Sequence, residues 1–149
     1  AHAYEAARIA SHTRERLIAN RQPLIAETVF SHPSKLELLR IAADAGYQTF
    51  MHVLLVPADV SVARVACRVA AGGHSVPEHK IRERHERLWP LVVNAIERAD
   101  GATIYDNSQD HGPHMIALFA AGQPVGNPAW PAWTPTSLTA QWPTNIHEP

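Results

Sequence analysis

Residues 24–57, "LIAETVFSHPSKLELLRIAADAGYQTFMHVLLVP", hold the reading on which the fold turns. "LIAETVF" (24–30) is a short, mostly apolar run, the pattern of a strand buried in a sheet. "SHPSKLELLRIAADAGY" follows with turn residues and then apolar positions at helical spacing. Ser34 is an expected N-cap with Glu37 three residues on, and Gly46 an expected C-cap. "TFMHVLLVP" (49–57) repeats the buried-strand pattern. Strand, helix and strand in so short a span predict a parallel crossover unit.

The pattern extends in both directions. Residues 3–20 place Ala3, Ala6, Ala7, Ile9, Ala10, Leu17 and Ile18 at helical intervals. "ADVSVARVACRVAAGG" reads as a helix stopped by Gly72 and Gly73. "VPEHKIRERHERLWPLVVNAIERAD" reads as a longer helix, with Pro77 in its first turn and Pro90 expected to bend or break it. "GATIYDN" (101–107) reads as a third strand, and "HMIALFAAGQPV" as either a short helix or a strand. Strands alternating with helices predict an α/β domain over residues 1–125, with a parallel sheet covered by helices on both faces. Ligands of such sheets sit beyond the carboxyl ends of the strands.

From residue 126 the composition changes. "GNPAWPAWTPTSLTAQWPTNIHEP" holds five of the twelve prolines and three of the four tryptophans. It has no clear period and reads as an extended tail over 126–149. Its tryptophans either pack back on the domain or serve a partner or a self-association contact.

The totals narrow the function. The chain has 149 residues, 46% apolar and 18% charged, enough for one domain with a real core. A net charge of −1 gives no basic field for nucleic acid, so any anion site must be local. One cysteine, Cys67, rules out an internal disulfide and reads as a core residue among apolar neighbours. The histidines match no zinc signature. No apolar run is long enough to cross a membrane, and a cytoplasmic location is the expectation.

Local cations do occur. In "GGHSVPEHKIRERHER" (72–87), Lys80, Arg84 and Arg87 share one face of the predicted helix and Arg82 lies on another, with Glu78, Glu83 and Glu86 between them. Arg64 and Arg68 stand four apart on the preceding helix. Spacing alone leaves two readings open: a charged surface helix with local ion pairs, or an arginine-bearing lid that closes on phosphate. Glu27, with Thr28 beside it, is equally open. It is a solvent-facing or ion-paired glutamate, or a carboxylate that orients a substrate hydroxyl. Tyr105 to Ser108, with Asn107, are either ordinary turn residues or a loop that meets a nucleotide.

The ordered pieces "LIAETVFSHPSKLELLRIAADAGYQ", "SVARVACRVAAGGHSVPEHKIRERHER" and "ATIYDNS" together resemble the zeta-toxin-like family of P-loop kinases over about residues 5–108. The resemblance implies a kinase that uses ATP and Mg2+ to phosphorylate a hydroxyl of a small molecule, a UDP-amino sugar in the best-known members. It implies a substrate-binding role for Glu27 and Thr28, catalytic roles for Arg82 and Arg84 against phosphate, and nucleotide-binding roles for Arg68 and Asn107. It also implies that an antitoxin is a partner to look for. The family's Gly-x-x-x-x-Gly-Lys-Ser/Thr loop does not occur among the seven glycines of residues 1–149. That loop, its strand and the family's catalytic aspartate are expected upstream of residue 1, which makes this chain the C-terminal portion of such a kinase. The alternative function is a non-catalytic, degenerate or truncated kinase domain that binds a protein partner or dimerises.

Overall fold

The computed structural model describes residues 2–144. The elements run α1 (His2–Ala19), α2 (Ser34–Asp44), β1 (Phe50–Leu55), α3 (Ala58–Ala70), α4 (Glu78–Ile96), β2 (Gly101–Asp106), β3 (His114–Ala120), β4 (Gln123–Pro124) and α5 (Thr136–Gln141). This is a mixed α/β fold, a four-stranded sheet flanked by five helices and compatible with a P-loop-kinase-like architecture. The sheet order is β1-β2-β3-β4.

β1 and β2 are parallel, in register from Phe50↔Gly101 to Leu55↔Asp106. Their connection passes through α3 and α4, as a parallel pair requires. β2 and β3 are antiparallel, with a bulge between Ile104 and Tyr105. β3 turns into β4 through Ala121 and Gly122, both at positive φ, which is the geometry of a two-residue hairpin loop. The stretch left open between helix and strand is thus a strand followed by a tight turn.

Alternation along the strands sends Val53 and Leu55, Ala102 and Ile104, and Ala117 and Phe119 to one face. There they meet Trp89, Val92 and Ile96 of α4, Leu138 of α5 and Trp142. The opposite face carries Phe50 (67% exposed), Leu54 (54%) and Leu118 (40%). At these positions the opposite face is open among the described residues.

Several sequence-based expectations change. Residues 24–30 are extended but belong to no strand, because no described strand lies alongside to complete a ladder. Ser34 opens α2 without a side-chain cap. Its amide instead donates to His32 Nδ1 at 3.2 Å. Gly46, at φ +81, does follow the end of α2. Pro90 lies inside α4 without ending it, on an exposed position where the loss of one helical donor is tolerated. Cys67 is exposed, since α3 buries no residue completely.

The Pro/Trp-rich stretch is not an extended tail through its described length. It contains α5 and is bound to the core. Leu138 is fully buried and the Trp142 ring lies 4.6 Å from Phe119 between centroids. Trp142 Nε1 donates to Gly122 O at 3.2 Å, and Trp130 Nε1 donates to Trp142 O at 2.7 Å. Residues 145–149 lie outside the described part of the chain.

Candidate functional site

The carboxyl ends of the parallel strands lead into Val56–Pro57 and Asn107–Ser108. Pro57, with ψ 147°, turns the chain directly into α3, so the N-terminus of that helix opens at the strand end. Asp59 sits in its first turn, where a carboxylate is favoured by the helix dipole. α3 ends at the glycine pair. Gly72 has φ +89°, and a Cβ on Gly73 would lie 2.7 Å from Arg68 O. The tight turn this permits brings α4 back against α3.

Arg82 reaches across that contact. Its guanidinium is 2.8 Å from Asp59 Oδ1 and 2.7 Å from Glu78 Oε1. Its pKa is raised, first by the hydrogen bond it donates to Asp59 and then by the one it donates to Glu78. Lys80 and Arg87 both pair with Glu83, at 3.2 and 3.4 Å, and Lys80 foremost lowers the Glu83 pKa. Arg84 and Arg68 are exposed and form no ion pair among the described residues. The basic segment thus divides into paired cations, Lys80, Arg82 and Arg87, and unpaired ones open to an incoming anion.

Glu27 and Thr28 lie elsewhere. Both are exposed on the extended segment and line a groove of about 500 Å³ between that segment, α2, α4 and β1. Thr28 Oγ1 reaches only Val29 O, at 3.5 Å. Ser61 and His85 line the same groove, so its end adjoins the carboxyl end of β1. Arg68, Arg82, Arg84 and Asn107 are not among its lining residues. The residues expected to share one site therefore fall into two groups: the acceptor-side pair in the groove and the arginines on α3 and α4. Asn107 stands apart at the end of β2, where its amide donates to Leu55 O at 2.9 Å.

At the strand ends, His85 and Asp106, the latter within the Tyr105–Ser108 stretch read from the sequence, take structural positions. His85 Nε2 bonds Val56 O at 2.8 Å while Trp89 Nε1 donates to His85 Nδ1 at 3.4 Å, which fixes the ring as the neutral Nε2–H tautomer. It fastens α4 to the end of β1. Asp106 is the buried carboxylate of the core, and its Oδ1 accepts from the Ser108 amide at 2.8 Å. It rigidifies the turn after β2 and stands 3.9 Å from His114 Nε2. The i,i+4 spacing of His85 and Trp89 was a usable signal. The burial of Asp106 had none, since an Asp after a strand is ordinary turn chemistry.

The sheet order and the helices around it are compatible with a P-loop-kinase-like α/β fold. The zeta toxin family profile matches residues 2–111, and the chain belongs to that family. No curated protein and no solved structure is detectably similar to it.

The family implies a nucleotide and Mg2+. Arg68 and Arg84 are exposed on α3 and α4, and Arg82 of α4 meets Asp59 in the first turn of α3. Among the described residues no cluster of acidic groups, histidine or cysteine is arranged to cage a metal.

Proposed function

We propose that this chain carries the lid and acceptor side of a nucleotide-dependent kinase that phosphorylates a hydroxyl of a small molecule, with a UDP-amino sugar as the substrate class to test first. The family match over residues 2–111 carries the reading. The placement of the arginine-bearing α4 behind a glycine joint supports it.

In this reading Arg84 and Arg68 meet the phosphates directly. Arg82 exchanges Asp59 or Glu78 for a phosphate oxygen as α4 settles against the nucleotide. Glu27 accepts a hydrogen bond from the acceptor hydroxyl and aims it, and Thr28 offers a second polar contact in the same groove. The bound Mg2+ supplies charge neutralisation on the phosphates. Because phosphoryl transfer demands little covalent chemistry of the protein, positioning and charge complementarity are the main duties of these side chains. The glycine-rich loop that cradles phosphates in such kinases is not within residues 1–149. Those contacts must come from other polypeptide in a competent enzyme.

Calorimetric titration of Mg-ATP into the chain, with Arg82→Ala as control, tests the reading. Binding that weakens in the variant supports the arginine assignment. Equal binding by both proteins removes Arg82 from the nucleotide site.

A further inference from the structure

The groove beside residues 24–30 is walled mostly by apolar side chains, Leu24, Leu38, Leu39 and Val53 among them. Its lining residues include one carboxylate, Glu27, and one ammonium, Lys35. Both line it without a counter-charge. Among the described residues neither side chain enters an ion pair or a hydrogen bond, and the two do not pair with each other.

The rest of α2 explains why Lys35 is left over. It sits in the first turn of that helix, whose acids, Glu37 and Asp44, are both taken by Arg40. The chain's other lysine, Lys80, finds Glu83 on its own helix. Lys35 is partly buried, and its amide donates to His32 O at 3.1 Å, which fixes its backbone just past the extended segment. A partly buried ammonium without a partner is costly, and an anionic ligand removes that cost. Val56 and Ser61 line the same groove, so it reaches the carboxyl end of β1, where ligands of α/β sheets sit.

We propose that Lys35 is the specificity-determining cation of this groove and binds a phosphate group carried by the acceptor, whose reacting hydroxyl lies at Glu27. The proposal rests on the acceptor-side reading of Glu27 given above. An ammonium is a compact charge with three donors, and it takes phosphate oxygens without the planar geometry a guanidinium demands. Glu27 repels the same anion, so the two opposite charges admit an asymmetric ligand in one orientation. A neutral sugar would satisfy Glu27 and leave Lys35 unpaired, so it is the ligand this pair of charges discriminates against. A sugar monophosphate and the diphosphate of a nucleotide sugar share the required chemistry.

The full chain is titrated calorimetrically with N-acetylglucosamine, with its 1-phosphate and with UDP-N-acetylglucosamine. The expected result is saturable binding of a phosphorylated probe, with the neutral sugar bound roughly tenfold more weakly or worse. Binding of the 1-phosphate assigns the site to a monophosphate, and binding of the UDP derivative alone assigns it to a diphosphate. Lys35→Met should weaken the phosphorylated probe by roughly tenfold or more, since it removes a charge-assisted contact and keeps the apolar stem. Lys35→Arg should restore most of the affinity, and it guards against a fold defect in the methionine variant. Neither variant should change Mg-ATP affinity. Equal affinity of wild type and Lys35→Met for the phosphorylated probes, or no binding of either probe, overturns the proposal. A parallel loss of Mg-ATP affinity in Lys35→Met also overturns it, by placing Lys35 in the nucleotide site. Sugar-phosphate binding governed by Lys35 in a chain that takes no Mg-ATP would count against the kinase reading and not against Lys35.

Discussion

Arg82 lies 2.8 Å from Asp59 Oδ1, and through that contact α4 is tied to the first turn of α3. Both partners are substantially open to water, with side-chain exposures of 42% and 84%. Pairs of this kind contribute at most about 1 kcal/mol. The contact is therefore strong enough to orient the guanidinium and weak enough for phosphate to displace. Asp59→Asn removes the inter-helix carboxylate and leaves Glu78. Mg-ATP affinity is expected to rise up to about fivefold, because the arginine no longer has that competitor. A fall in affinity on calorimetry would show instead that Asp59 positions Arg82 for the nucleotide.

In a catalytically competent enzyme, Arg82→Ala should lower kcat by about a hundredfold or more, since the lost charge stabilises the transferring phosphoryl group. Far-UV circular dichroism should stay unchanged, because the side chain joins exposed pairs rather than the core. Full turnover in the variant would leave Arg84 and Arg68 as the phosphate contacts.

Glu27 separates activity from stability. It is exposed and has no ion-pair or hydrogen-bond partner among the described residues. Glu27→Gln should shift unfolding free energy by no more than about 0.5 kcal/mol. A carboxylate that aligns an acceptor hydroxyl is worth far more to the reaction, about a hundredfold or above. Turnover and chemical denaturation measured on the same protein compare the two. A large stability change with little loss of turnover would make Glu27 a structural residue.

How much of this was legible depends on whether local or distant groups decide a conformation. The strand patterns at 49–57 and 101–107 were readable because each buries one set of side chains against α4, and the period records it. The pattern at 24–30 was equally clear, yet among the described residues it enters no ladder, because a strand is defined by its neighbours and not by its own apolar content. Leu138 and Trp142 lie among prolines that erase periodicity, so their burial came from long-range packing on Phe119. At the site, Arg82, Arg84, Glu27 and Thr28 were nameable from residue type and order. Their division between the groove and the α3–α4 surface was not, because it depends on the crossing of α4 over α3. The contact from His85 to Val56 O spans 29 residues and leaves no local trace beyond the His85–Trp89 spacing.

Acid should weaken α2 through Glu37. The carboxyl pKa lies below its ordinary 4.5, chiefly through the hydrogen bond from Arg40. Arg40 also pairs with Asp44, so one guanidinium joins both carboxylates along the exposed face. A depressed folded-state pKa stabilises the fold fully above the unfolded value and loses that effect as pH falls through the folded value. The thermal midpoint should therefore decline below about pH 4.5. Glu37→Gln should flatten that part of the profile and leave the neutral-pH slope unchanged. An unaltered acid limb in the variant would place the acid sensitivity on other carboxylates.

Trp142 supplies the sharpest test of whether the Pro/Trp-rich stretch belongs to the fold. Its ring is 5% exposed, is tilted against Phe119 and is held by the Gly122 carbonyl. Its own carbonyl receives the Trp130 indole. Trp142→Ala removes a large buried side chain and should cost about 3–5 kcal/mol. Trp133, at 36% exposure, sits on the same stretch without that burial, and Trp133→Ala should change stability by less than about 1 kcal/mol. Urea denaturation followed by far-UV circular dichroism gives both values without relying on tryptophan emission. A Trp142→Ala penalty as small as that of Trp133→Ala would mean that the stretch lies on the domain without stabilising it. A large difference between the two would make residues 128–142 as necessary to the sheet as α4.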